Sequence, residues 1–404
     1  MSRFLFTVLS LIFCLAIHIS AQEASKWRGP NANGNYPDKG LLKQWPENGP
    51  EIIWSFDELG LGYTSPVVAQ GNIFIPAMIS ETGYIYKLTP DGKLVWKHPY
   101  AEEINNTYPG SRGSVTVAGD LLYILSGLGK LVCMNTSDGK IRWTRDLFRD
   151  FDGKNNEWGI NETVMVEGDK LYCTPGGRKH NLIALNRKTG DLIWASPGKG
   201  ELSAYTTPLL IKLSTRTLLV THTESHIIGI DASDGKFLWS FPHPNTYSIH
   251  PNTPIYDNGL LFCFSGYGQG AEMLKLSSDG SEVEMVWSDK TFGSRTGGAV
   301  LVDGYLYGSG DNDRSWQCLD WKTGKKMYSS TEITKGTVIY ADGLLYCYSE
   351  RGELAIVKAE PAGFNVVSKT RVDKGSGQHW AHLVINNGVL YVHHGSALIA
   401  YKIK

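Results

Sequence analysis

The sequence predicts an all-β fold: an eight-bladed β-propeller of four-stranded antiparallel blades, closed by an N-terminal strand. Three observations predict it. The phrase Gly229–Trp239 (GIDASDGKFLW) recurs as Cys133–Trp143, Ala184–Trp194 and Cys318–Tyr328, with a shorter copy ending at Trp96 and a longer one at Trp287. A second hairpin with its own short turn precedes each copy, as in Val117–Tyr123 and Val302–Tyr307. The two ends carry complementary fragments: Ile52–Phe56 is a closing strand with no hairpin before it, and Leu383–Lys404 holds three strands and no closing strand. Each unit is then four strands, A to D, at the period of propeller blades. The turns take Gly because tight hairpin loops need positive φ. The aromatic recurs because one hairpin cannot bury its own face and must stack on the next.

Taken in order, Met1–Ala21 has Arg3, an apolar run from Phe4 to Ile19, and Ser20-Ala21 before Gln22. This reads as a cleaved secretory signal peptide, cut near Ala21, so the protein is expected to be periplasmic or secreted. Residues 22–51 form an N-terminal extension, and the propeller domain runs from 52 to 404. The D strands close at Trp54, Trp96, Trp143, Trp194, Trp239, Trp287 and Tyr328, with a degenerate closure at Val366–Ser368. Seven blades is the count if that weak copy, at Ala341–Thr370, is no blade. Placing one strand from the opposite terminus in the last blade removes the free sheet edges. No segment holds a 3.6-residue apolar stripe of helical length, so helices should be few.

The formal net charge is −1, and no basic field invites nucleic acid. No later segment is apolar enough for a transmembrane span. Beyond Cys14, five cysteines remain, at 133, 173, 263, 318 and 347, each inside a strand-like run. An odd number is no complete disulfide framework, so they are read as buried thiols, with one bridge between neighbouring blades left open.

The phrase Ala-x-Asp-x-x-(Thr/Ser)-(Gly/Asp)-x-x-x-Trp resembles the repeat of the pyrroloquinoline quinone (PQQ) propellers. That group includes quinoprotein alcohol dehydrogenases and the BamB-type outer-membrane assembly lipoproteins. The resemblance covers nearly all of the chain after the leader. It implies the fold, and it implies that Trp143, Trp194 and Trp239 dock between blades. It does not fix an activity. A PQQ dehydrogenase of this group carries calcium or a lanthanide on carboxylate and amide groups, and many have a vicinal Cys-Cys ring beneath the cofactor. Here PQQ with calcium stays an alternative without support from a Cys pair, Asn161 with Glu162 and Arg295 being the only matches in kind. No Cys-x-x-Cys-His is present for an attached haem. A BamB-like propeller would instead be a non-catalytic scaffold with envelope proteins as partners.

The turns divide into two sets. A–B and C–D turns are short and stereotyped, whereas D–A and B–C connections are long and individual, as at Pro99–Arg112, Phe148–Glu162, Pro242–Thr253 and Val372–His382. Long varied loops on a rigid scaffold usually carry function. The histidines after the leader, from His98 to His394, are all placed in or at the edge of the long connections. The D–A loops end at the innermost strand, so their last residues should face the axis. Glu162, His250, His379 and His382 are the candidates for acid and base. Arg112, Asn161, Trp158, Arg295, Lys335 and Trp380 are the candidates for ligand binding, with Tyr108, Tyr247 and Tyr267 in the same loops. Flat aromatics beside Asn, Arg and Glu suit a carbohydrate or polyol. His222, Glu224 and His226 alternate along an extended segment and form the metal candidate. The function expected is a polar small-ligand site in the axial funnel on the long-loop face, with or without catalysis.

Overall fold

The computed structural model describes residues 24–404; the expected signal peptide and its cleavage point lie outside them. Eight four-stranded sheets stand around one axis, at residues 67–102, 116–146, 165–196, 209–242, 255–289, 299–330 and 336–371, and the eighth at 384–402 joined by Ile52–Phe56. The blade count is therefore eight, and the weak copy is a full blade whose outer strand is Val366–Arg371. Among the described residues the only helix is the single turn Leu147–Asp150. The closing strand pairs antiparallel with Ala397–Lys402, Ile52 opposite Tyr401 and Trp54 opposite Ala400. The five described cysteines are buried and unbridged.

Six of the eight junctions between blades share one device. In the last hairpin of every blade a β-bulge falls at the repeat motif, for example between Ile141 and Trp143. A bulge re-aims side chains. Six indoles then donate to a carbonyl in the turn of the following blade. They are Trp54 to Pro90 (2.9 Å), Trp96 to Ser137 (3.1 Å), Trp143 to Arg187 (3.1 Å), Trp194 to Ala232 (3.2 Å), Trp239 to Gly280 (3.0 Å) and Trp287 to Trp321 (3.2 Å). The turn glycine is needed twice over. Gly190 has φ +73°, and a Cβ there would lie 2.8 Å from the Trp143 ring. The series includes Trp54, so the terminal strand carries the lock between the last blade and the first.

Inside most blades the same aromatic rests on one from the second strand: Trp143 on Tyr123, Trp194 on Tyr172, Trp287 on Phe262, Tyr328 on Tyr307. The seventh blade has no aromatic on its outer strand. There Trp45, from the N-terminal extension, sits against Tyr346 with ring centres 6.4 Å apart. Its backbone N–H donates to Ser368 Oγ in that strand.

The extension is thus part of the propeller's packing and not a separate tail. Ser25 exchanges two backbone hydrogen bonds with Val117, on an innermost strand of the second blade. Arg28 donates to Ala299 O and Val338 O, on the innermost strands of the sixth and seventh blades. Asn35–Tyr36 adds a parallel strand beside Tyr340 and Ala341. Contacts to innermost strands on both sides of the ring place residues 24–36 along the axis. The chain then leaves on the short-turn face, where Leu41 N–H donates to Asp342 and Leu42 N–H to Ile403 O, and enters the last blade.

Candidate functional site

On the long-loop face the axis opens into a cavity of about 700 Å³, within the size range of small-ligand sites. All six expected ligand-binding residues line it: Arg112, Trp158, Asn161, Arg295, Lys335 and Trp380. Two aromatic groups face it. Trp380 lies between Tyr63 (5.0 Å between ring centres) and Tyr108 (4.9 Å), and Tyr247 lies between Trp158 (6.3 Å) and Tyr267 (4.7 Å).

The loops that hold these rings are strained. Tyr108, Tyr205 and Tyr267 have φ of +54°, +76° and +58°, a region bulky residues avoid. All three line the cavity. Such strain persists only where the surroundings over-determine it, and it concentrates at functional sites. Arg112 supplies part of that determination. Its guanidinium donates to Tyr205 Oη (3.0 Å), Thr107 O (2.7 Å), Tyr108 O (3.0 Å) and Trp158 O, tying three loops together.

Charge in the cavity is mostly positive. Arg112, Arg295, Arg314, Lys335 and Arg351 line it, against the single carboxylate of Glu350. Asp311 stands behind Arg295 (2.7 Å) and in contact with Lys335. Burial works to raise the Asp311 carboxyl, but Lys335, the Tyr267 N–H and Arg295 together bring it below the usual range. It therefore stays ionised and balances two of the cations. Among the described residues Arg112, Arg314 and Arg351 have no ion pair.

The N-terminal segment makes the floor. Trp27 and His382 line the cavity, with ring centres 4.8 Å apart. Arg28 donates to His382 Nδ1 (2.9 Å), so His382 carries its proton on Nε2, which donates to Thr296 O (2.9 Å). Burial, and next the Arg28 charge, push His382 down to about 3. Both nitrogens are engaged and the ring is neutral, so His382 is a fixed part of the floor and not a free base.

The remaining acid–base candidates do not gather here. Glu162 is fully buried outside the cavity, with Oε2 accepting from Thr174 N–H at 3.1 Å, and burial lifts it to about 8. His379 bonds Tyr348 Oη at 2.6 Å and stacks on His394 with ring centres 3.7 Å apart, away from the cavity. His250 is buried among other histidines. The metal candidate also comes apart. His222 ends one strand, Thr217–His222, and His226 begins the next, His226–Asp231, so the segment between is a tight turn and not extended. His226 faces Glu201 (2.7 Å), and Glu224 reaches Ser248 Oγ at 3.5 Å. His98 departs from the expected division of faces: it lies within the strand Leu94–Glu102, against the turn at Gly139.

A calcium-held PQQ does not fit these residues. Asn161 lines the cavity, but Glu162, its expected carboxylate partner for the ion, is buried elsewhere and protonated at neutral pH. The carboxylate nearest the cations, Asp311, is already shared by two of them.

Fold and mouth together define a PQQ-like repeat propeller with a ligand-sized, cation-rich aromatic mouth. The family model described as outer membrane protein assembly factor BamB matches residues 81–330, and the chain belongs to that family. It is similar to the outer membrane protein assembly factor BamB of Shewanella oneidensis, 23% identical over 207 residues, covering 50% of this chain and 49% of that protein. A quinoprotein ethanol dehydrogenase of Pseudomonas aeruginosa is 22% identical over 170 residues, covering 39% of this chain and 26% of that protein. The chain thus matches less than half the length of either relative. Among solved structures, BamB from Moraxella catarrhalis superposes with a TM-score of 0.64 at 14% identity, covering 88% of this chain and 98% of that one. That likeness shows the fold. No helix among the described residues is long and apolar enough to cross a membrane.

Proposed function

We propose that this chain is an exported propeller that binds a polar small ligand at its mouth, a carbohydrate or polyol carrying an acidic group. The observation that carries the reading is the strained aromatic cage, three tyrosines at positive φ around a cavity with five cationic side chains. Aromatic faces suit the apolar faces of a sugar ring, and unpaired guanidinium groups suit a carboxylate or sulfate. The engaged state of His382 and the distant Glu162 favour binding over catalysis.

The test is thermal denaturation and calorimetry of the mature protein with neutral sugars, uronic acids, sulfated sugars, polyols, and PQQ with calcium. A ligand at a hundred times its dissociation constant adds about 2.7 kcal/mol of stability. Acidic sugars should shift the melting point more than neutral ones, and less so at high salt. Trp380→Ala should weaken the binding about tenfold or more, and replacing Arg314 and Arg351 with Ala should abolish the preference for the acidic form. A panel without any shift rejects the reading; a shift with PQQ and calcium replaces it with the dehydrogenase reading.

A second reading has its own support. The outer strands expose Ile52, Ile53, Leu94, Val95, Leu192 and Ile193, and exposed apolar surface marks contact sites. Together with the BamB relatives this favours a scaffold for envelope proteins. Binding to such a partner that is lost on replacing Leu94 and Val95 with Ser, with no ligand shift, would establish the scaffold instead.

A further inference from the structure

Away from the mouth's lining, three histidines meet in the interior between the fourth and fifth blades. His222 ends the strand Thr217–His222, His243 follows Phe237–Pro242, and His250 lies in the connection after it. All three are buried. Each offers a ligand nitrogen, and the three nitrogens lie within 4.8 Å of one another. The ring centres are 5.0, 5.1 and 5.3 Å apart. Imidazoles bound at about 2.1 Å to one tetrahedral ion would hold their ring centres about 5.2 Å apart.

The hydrogen bonding of two of the three rings leaves nitrogens open to an ion. Neither nitrogen of His222 has a partner, and His243 Nε2 has none. A buried imidazole with both nitrogens unsatisfied is costly. The outward nitrogens of the other two are held as metal ligands' usually are. His243 Nδ1 abuts the Glu272 carboxylate, which also accepts from Gln269 Nε2 at 3.0 Å. His250 Nε2 faces Glu224 O at 3.2 Å, and its Nδ1 meets Ser265 Oγ at 3.0 Å and Asn245 Nδ2 at 3.3 Å, contacts that an ion on Nδ1 would displace. Carboxylates and carbonyls on the far nitrogen fix the tautomer and turn the other nitrogen toward the ion.

We propose that His222, His243 and His250 bind one divalent transition-metal ion of the zinc class, with water as the fourth ligand and Glu272 orienting His243. The ion would be structural. It would pin the connection 243–254 to the fourth blade, and that connection carries Tyr247, Ile249 and Pro251 into the cavity wall.

The test uses the full mature chain without a histidine tag, stripped with chelator and titrated with Zn²⁺ or Co²⁺. One equivalent should bind, Co²⁺ should give the visible absorption of a tetrahedral nitrogen site, and Zn²⁺ should raise the melting temperature. His222→Ala should abolish all three effects. Glu272→Gln should keep the spectrum and weaken affinity about 10- to 100-fold. The Co²⁺ spectrum of the unaltered protein answers even where a variant fails to fold. An absent tetrahedral band, or equal binding by a folded His222→Ala, overturns the site and leaves an apolar-packed histidine cluster. None of these readouts depends on the mouth ligand.

Discussion

A single carboxyl shows how far burial alone sets chemistry in this chain. Glu162 is fully buried, one oxygen accepting from Thr174 N–H and the other without a partner. Burial raises it from 4.5 to about 8. The folded state therefore keeps a proton that the unfolded state loses, so Glu162's contribution is greatest below pH 4.5 and is lost as pH rises through about 8. Glu162→Gln, which mimics the protonated acid, should gain stability relative to the unaltered protein across that window. Melting curves of both at several pH values check this; parallel profiles would show that Glu162 is ionised in the fold. His382 acts in the opposite sense. Its value of about 3 makes the folded state resist protonation, so its contribution is present above the unfolded value of 6.5 and fades as pH falls toward 3. At this scale the sequence was only half informative. It placed Glu162 and His382 at the ends of long loops, but it did not show which oxygens and nitrogens would find partners. The histidine cluster was hidden for the same reason. His243 and His250 share one connection while His222 comes from another, whereas the neighbouring His226 only looked like a companion on an extended strand.

At the scale of the element, the interlocking aromatic was legible because both halves of the device are local in sequence: a turn glycine and, a few residues on, an indole. The exception was legible only as a gap. The outer strand Val366–Arg371 lacks its aromatic, and nothing local announces that Trp45 fills the place, since the two are more than three hundred residues apart. Trp45 is buried against Tyr346, in the same apolar cluster as Leu344 and Ile356. Trp45→Ala should cost about 3–5 kcal/mol, as for a large aromatic lost from a core. Denaturant unfolding of Trp45→Ala beside Trp143→Ala measures this; a loss near zero for Trp45 alone would make the extension a surface decoration. The aromatic walls of the mouth were legible as a collection of residues in long loops. Trp27, Tyr63, Tyr205 and Asp311 were not, because the extension and the shorter connections gave no repeat to read against.

For the whole molecule, blade count and closure followed from periodicity, while the filled axis did not. An N-terminal segment on the axis should be as protected as the blades. The amide of Ser25, bonded to Val117 O at 2.8 Å, and that of Leu42, bonded to Ile403 O at 2.7 Å, are both on the extension. Hydrogen exchange should find both slow, on the timescale of blade-core amides such as Tyr346; rapid exchange would mean the segment frays independently. The same placement constrains how the molecule is made. Arg28 and its partner His382 are 354 residues apart, and the early strand Ile52–Phe56 pairs with the last strand of the chain, Ala397–Lys402. A nascent chain emerging N-terminus first can stack its blades as they appear, yet its leading segment must wait beside the growing arc until the final residues are released. Assembly of this propeller is thus a winding of blades about a central spindle, and its slow step should be the joining of the chain's two ends.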